Sequence, residues 1–235
     1  MQNGNSLRKL AGIICLIFVV SEVGWYLTGR WGWVSSDLAQ VGKDLLNIAD
    51  NPAKYLAHIG FDIVYNLSIF LLGALFYLMF RKTNRALALF GGLGFLCTGF
   101  LWLFMDMSTL AQYHLAIDYA NASGATASAI ALRAADLSLA YDSSAPITSM
   151  FYAMGFISFG ILIVRSGVLN RAIGWFAIVT GIVQLLFAWV GSFKGSVIGD
   201  YGYHITEAWF LVTGLWLVTR WVRGTSKQKP ELEKN

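Results

Sequence analysis

The 235-residue chain has little of what marks a soluble or cross-linked protein. Two cysteines cannot staple a fold of this length, and three prolines exclude a collagenous or proline-rich rod. Only 13% of its residues are charged, against roughly 25% in soluble domains, which excludes a soluble monomer as well. Catalytic signatures are missing too: no glycine-rich phosphate loop, nucleophile elbow, haem motif or His-Glu-x-x-His zinc signature occurs. What remains is 57% hydrophobic and falls into runs long enough to cross a bilayer.

A hydrocarbon core of about 30 Å needs roughly 20 helical residues. Four uncharged stretches meet that need: Ile63 to Phe80, Ala86 to Met105, Ile147 to Val164 and Ala172 to Phe193. Two more, Leu10 to Gly29 and Tyr201 to Val218, qualify if each accepts one buried glutamate, Glu22 and Glu207 respectively. The sequence therefore predicts an all-α polytopic membrane protein with six transmembrane helices, at about 10–29, 57–80, 86–107, 146–164, 172–193 and 201–221. They make one domain over 1–222, followed by a disordered cytoplasmic tail at 223–235. Arg8 and Lys9 precede the first run as they would in a signal peptide, but no Ala-x-Ala cleavage site follows, so an anchor is expected.

Basic residues set the orientation, because cytoplasmic loops hold the excess of Lys and Arg. With the N-terminus inside, twelve of the 17 fall on the inner side, and only Arg30, Lys43, Lys54, Arg133 and Lys194 fall outside. Both termini are thus expected in the cytoplasm of a bacterial inner-membrane protein. The net charge of +4 follows from this topology and gives no ground for nucleic-acid binding. The two inner turns, Arg81 to Arg85 and Arg165 to Arg171, each end in Asn-Arg-Ala, so Asn84 and Asn170 are expected to cap the next helix. The shared tripeptide also raises the reading that the two hairpins form a parallel repeat.

The outer segments, 34–50 and 109–142, carry helical patterns. Val34, Leu38, Val41, Leu45 and Ile48 recur at spacings of four and three behind candidate caps at Ser35 and Ser36, which predicts an amphipathic helix. The Ala-rich second segment is expected to break at Gly124 into two helices, the second with Ile130, Ala134, Leu137 and Tyr141 on its apolar face. Two arrangements stay open: a lid over the bundle, or interfacial helices resting on lipid headgroups.

Ionisable groups in hydrocarbon are costly and usually mark function. Counted from the inner basic anchor of each span, Glu22, Thr98, Tyr152, Gln184 and Glu207 lie thirteen residues up and Asn66 fifteen. At about 1.5 Å per residue, all six sit roughly 20 Å above the inner face, forming one polar layer. His204, Asp62, His58 and Asp106 continue outward, while the inner half holds no acid and no histidine. This asymmetry describes a vestibule open to the outer face. Two carboxylates at one low-dielectric site cannot both ionise cheaply, so Glu22 and Glu207 suit proton exchange or cation capture.

Three His-acid pairs share helix faces: His58 with Asp62, His114 with Asp118 and His204 with Glu207. A divalent metal such as zinc is one cofactor these residues would accept, on His58, Asp62, Asp106 and His204 with Glu207. Interfacial histidines held by local carboxylates are the plainer reading. Cys15 and Cys97 lie within spans and argue for no redox role. Gly91, Gly92, Gly94 and Gly99, and the stripe Gly174, Ala177 and Gly181, allow close helix approach. Trp25, Trp31, Trp33, Trp175, Trp189, Trp209 and Trp221 read as interface anchors, an aromatic ligand lining being the alternative. Asn121-Ala-Ser123 fits a glycosylation sequon, which matters only in a secretory eukaryotic context.

The stretch Asp62 to Phe80, the Arg81-Lys-Thr-Asn-Arg85 turn with Ala86 to Phe90 after it, and the Arg165 to Arg171 turn resemble a bacterial six-helix membrane family catalogued as domain of unknown function 4386. The long Ala-rich outer segment and the His-acid pairs depart from that pattern. The resemblance implies a bacterial inner-membrane protein and carries no activity with it. Three functions follow from the residues. The first is a non-enzymatic binding or accessory protein whose carboxylate and histidine vestibule takes a small ligand, a cation or a partner subunit. The second is a metal-dependent lipid hydrolase at the outer leaflet. The third is a small proton-coupled transporter using Glu22 and Glu207. Beyond the lipid bilayer, the partners in view are other membrane subunits or a second copy of the chain.

Overall fold

Hydrophobic runs interrupted only by short polar turns can satisfy their backbone within lipid as helices alone, and helices are what form. The computed structural model describes residues 2–28, 34–190 and 204–219. These hold α1 (Gln2–Thr28), α2 (Leu38–Asp50), α3 (Pro52–Phe80), α4 (Arg85–Ala120), α5 (Gly124–Ser166), α6 (Arg171–Val190) and α7 (204–219). Among the described residues there is no strand. α1, α3, α4 and α5 are each long and apolar enough to cross a membrane, so the chain is a multi-pass membrane protein. The tail at 223–235, the outer ends of the last two expected spans, Trp31, Trp33, Trp221 and the Trp189 side chain lie outside the described residues.

α1, α3, α4, α5 and α6 pack in chain order, each against the next. α7 closes the ring between α6 and α1. Its Thr206 Oγ1 accepts from Gln184 Nε2 at 3.0 Å, and Phe210 lies on Phe18 with ring centroids 4.2 Å apart. Apolar side chains gain little by leaving lipid for a protein core, so shape has to hold the ring together. Glycines supply it at the crossings. A Cβ at Gly94 would lie 2.6 Å from the backbone nitrogen of Gly155, and one at Gly160 would lie 2.7 Å from the Gly174 carbonyl oxygen. The axis is filled by Phe76, Phe80, Phe95, Phe156, Phe159 and Trp209, all buried.

Trp209 departs from expectation. It is no interface anchor but sits at the centre, its Nε1 donating to the Ile173 carbonyl at 2.9 Å. Trp175, by contrast, is exposed on the outer surface of the ring, as an anchor would be. Both inner-turn caps form as expected: Asn84 Oδ1 accepts from Leu87 N and Asn170 Oδ1 from Ala172 N, each at 3.0 Å.

The largest correction concerns α4 and α5, which do not end near 107 or begin near 146. With 36 and 43 residues they reach about 54 and 64 Å, well beyond a 30 Å core. Hydropathy falls where lipid ends, but the Ala- and Leu-rich sequence stays helical to Ala120 and again from Gly124. Gly124 does mark the break, with a φ of 59° that favours glycine. Pro146 is absorbed within α5. Around it the hydroxyls of Ser144 and Thr148 donate to the carbonyls of Ala140, Tyr141, Ser144 and Ala145.

These extensions carry α2. Val34, Val41, Leu45 and Ile48 bury against Tyr55 and Ile59 of α3, Leu115 and Ala116 of α4, and Ala134 and Ala135 of α5. The expected α2 face is therefore right at four positions and wrong at Leu38, which is 60% exposed in the first turn. Its cap also moves: Asp37 Oδ1 accepts from Ala39 N at 2.9 Å, while Ser35 Oγ accepts from Asp37 N. These segments thus build a second core stacked on one end of the bundle.

Candidate functional site

Where the two cores meet, the packing opens into a small cleft lined by Trp25, Val34, His58, Asp62, Ser108, Thr109, Gln112, Leu137, Ser138 and Tyr141. Each wall has a local cause. α3 carries His58 and Asp62 one turn apart on one face. The α4 extension brings Ser108, Thr109 and Gln112 over them, and α5 returns Leu137, Ser138 and Tyr141 from the opposite side. Gln112 and Ser138 brace that roof, with Gln112 Nε2 donating to Ser138 Oγ at 2.8 Å and to the Ala134 carbonyl at 3.3 Å. Tyr141 rests on Trp102, ring centroids 5.4 Å apart. Among the described residues no Lys or Arg lines the cleft, so its polar walls favour donors and cations over anions.

Beneath the cleft lie the acids. Asn66 Nδ2 donates to Asp106 Oδ2 at 3.0 Å and to Asp62 Oδ1 at 3.4 Å, joining α3 to α4. Asn66 thereby holds the Asp62 and Asp106 carboxyl groups close to one another. Glu22 of α1 and Glu207 of α7 are a second pair of neighbouring carboxyl groups. Glu207 Oε2 lies 3.3 Å from His204 Nδ1, and that histidine is half exposed at the outer end of α7.

The expected polar layer is thus resolved into contacts between neighbouring helices. Glu22 meets Glu207, Gln184 meets Thr206, and Asn66 meets Asp62 and Asp106. Thr98 Oγ1 donates to the Gly94 carbonyl at 2.9 Å, with the Thr148 carbonyl at 3.5 Å. Tyr152 packs against Phe95 and Phe156.

The four expected metal ligands do not converge. Among the described residues no three His, Cys, Asp or Glu side chains are grouped to hold a metal ion. His58 turns from Asp62 to Thr28, with Nδ1 3.3 Å from Oγ1, and its ring lies 4.9 Å from that of Trp25. Asp62 turns instead to Asn66 and Asp106. His204 keeps Glu207 and the face of Tyr26. His114 and Asp118 are exposed.

Sequence reasoning missed Thr206, Gln112 and Ser138. Gln112 had a readable signal, because it shares a buried helical face with Leu115 and Ala116, where a lone amide needs a partner. Ser138 had none, since a serine in an Ala-rich helix is as readily exposed.

Comparison with curated proteins and with solved structures finds no match in either. A family model described as "Domain of unknown function (DUF4386)" does match, over residues 10–221, from the first apolar run through α7 and its flank. That span takes in both acidic pairs and the whole cleft, and the chain belongs to the DUF4386 family.

Proposed function

We propose that this is a six-span protein of the bacterial inner membrane, with both termini cytoplasmic, acting as a non-enzymatic binding or accessory protein. Its outer vestibule captures a small cationic or hydrogen-bond-donating ligand. The observation that carries the reading is the cleft, free of Lys and Arg among the described residues and set beside two pairs of neighbouring carboxyl groups. The ordered ring of α1 and α3 to α7 supports six crossings, and the basic inner turns support the orientation. A binding role fits better than transport because the inner half of the bundle is closed by Phe76, Phe80, Phe159 and Leu162, each at most 1% exposed. Proton-coupled transport keeps one feature in its favour, the closeness of the Glu22 and Glu207 carboxyl groups. The hydrolase reading needs a ligand cluster, and the described histidines and acids are paired elsewhere.

The test places a thiol at the cleft wall. With Cys15 and Cys97 changed to alanine, Ser108→Cys in right-side-out vesicles is expected to react with a cationic methanethiosulfonate roughly tenfold faster than with its anionic analogue. Glu22→Ala or Glu207→Ala should reduce that preference while membrane insertion stays intact. Equal rates for the two reagents, or labelling only from the cytoplasmic side, would overturn the proposal.

A further inference from the structure

The vestibule accounts for Asp62, which lines it, but leaves two oxygens below it unexplained. Asn66 is fully buried and turned to both acids, its Nδ2 spent on Asp106 and Asp62. Its Oδ1, together with Asp106 Oδ1, is buried and meets no hydrogen-bond donor among the described residues. Buried acceptors without donors are costly and rare, so each calls for a bound donor or ion. The charge count points the same way. Two carboxyl groups held on one buried amide cannot both ionise cheaply, so one keeps its proton and the pair carries one negative charge. The nearest basic residue along α3, Lys54, is eight positions away, about 12 Å along the helix.

We propose that Asp62, Asn66 and Asp106 form a binding site for a single small alkali cation, reached through the cleft. A monovalent ion neutralises that charge with the proton left in place, whereas a divalent ion would overcompensate it. The amide and carboxyl oxygens are hard ligands suited to such an ion. Space selects for size: the helices cross so closely here that a Cβ on Gly99 would lie 2.8 Å from the Asn66 carbonyl oxygen. This inference rests on the vestibule reading for its entry route and names the ligand class that the vestibule serves.

The experiment uses the purified full chain in lipid nanodiscs. Thermal unfolding is followed as NaCl replaces choline chloride at constant ionic strength, alongside sodium-23 line broadening. Sodium is expected to raise the melting temperature and to broaden its resonance, while choline does neither. Asp106→Asn and Asn66→Leu should each weaken sodium affinity at least roughly tenfold, and Ser128→Ala, on the exposed side of α5, should leave it unchanged. Since the first two variants remove buried hydrogen bonds and could fail to fold, the wild-type comparison decides on its own. Identical behaviour in sodium and choline overturns the site and leaves those oxygens to water. The two proposals fail separately. A cleft that labels from outside without a sodium effect sinks the ion site alone, and a sodium effect with an unreactive Ser108→Cys sinks only the vestibule.

Discussion

The two cores of this molecule are built on different physics. In the membrane bundle the surroundings are as apolar as the interior, so α4 and α5 stay together because backbone meets backbone at Gly94 and Gly155 and aromatic rings interlock above and below. In the outer platform, Leu45, Ile48 and Val41 are buried from water, and ordinary hydrophobic transfer holds them. The first core is specified by shape and tolerates no added volume. The second is specified by area and tolerates no lost volume. Between them lies the one zone where neither rule is satisfied, and that is where the cleft and the buried acids sit.

The sharpest way to break this contrast is to add atoms to the bundle. Gly94→Leu would place its Cβ among the Gly155 nitrogen, the Phe151 carbonyl oxygen and the Gly155 Cα, all at 3.0 Å or less and all backbone. Nothing there can rotate away. Loss of more than about 3 kcal/mol is expected, or outright failure to assemble, read as aggregation in size-exclusion chromatography. A variant that assembles with wild-type thermal stability would show that α4 and α5 are not held by close approach.

Removing atoms from the platform should have a smaller and more local effect. Leu45 is fully buried, and Leu45→Ala should cost about 3 kcal/mol. The loss should appear as faster amide exchange and proteolysis across α2, the end of α4 and the start of α5, with the bundle core still protected. Uniform loss of protection through α3 and α6 would mean that the two cores unfold as one.

How far the sequence announced this arrangement depended on the kind of signal. Period and depth were legible. The 3.6-residue spacing found the buried face of α2, and counting from basic anchors placed Glu22 and Gln184 level with Glu207, whose chain neighbour Thr206 is the partner of Gln184. The caps at Asn84 and Asn170 followed from local chemistry alone. What depended on a partner helix was hidden. His58 and Asp62 share a face by spacing, yet α1 draws the histidine toward Thr28 and Trp25 while α4 draws the acid toward Asp106. Trp209, two residues from a glutamate, had the look of an interface anchor, and only the closed ring turns it inward to the Ile173 carbonyl. The length of α4 and α5 was hidden for another reason, because hydropathy measures where lipid ends and says nothing of where a helix does.

At the seam between the cores, Gln112→Leu should cost about 1 kcal/mol. The change removes the donor to Ser138 Oγ and the Ala134 carbonyl, but Ser138 keeps its own donation to that carbonyl at 3.2 Å, so no polar atom is left wholly stranded. The effect should be confined to the platform. Reactivity at Ser108→Cys should rise as the roof over the cleft loosens, and unchanged reactivity would show that this amide does not hold the roof.

The smallest effect should carry the opposite sign. Gly60 stands on the exposed side of α3, and a Cβ there would meet nothing within 4 Å. It gives α3 no close approach and leaves only the helix-weakening freedom of a residue without a side chain. Gly60→Ala should therefore stabilise the protein by about 0.5 kcal/mol, seen as a slight rise in melting temperature in the same detergent. The pairing with Gly94 is what makes the measurement informative. Both are helical glycines of the same chain, one with backbone on its open side and one with open space, and the sign of the response separates packing from propensity. If Gly60→Ala destabilises the protein, that exposed face is covered in the membrane by something else, and a second copy of the chain is the first candidate to look for by cross-linking at this position.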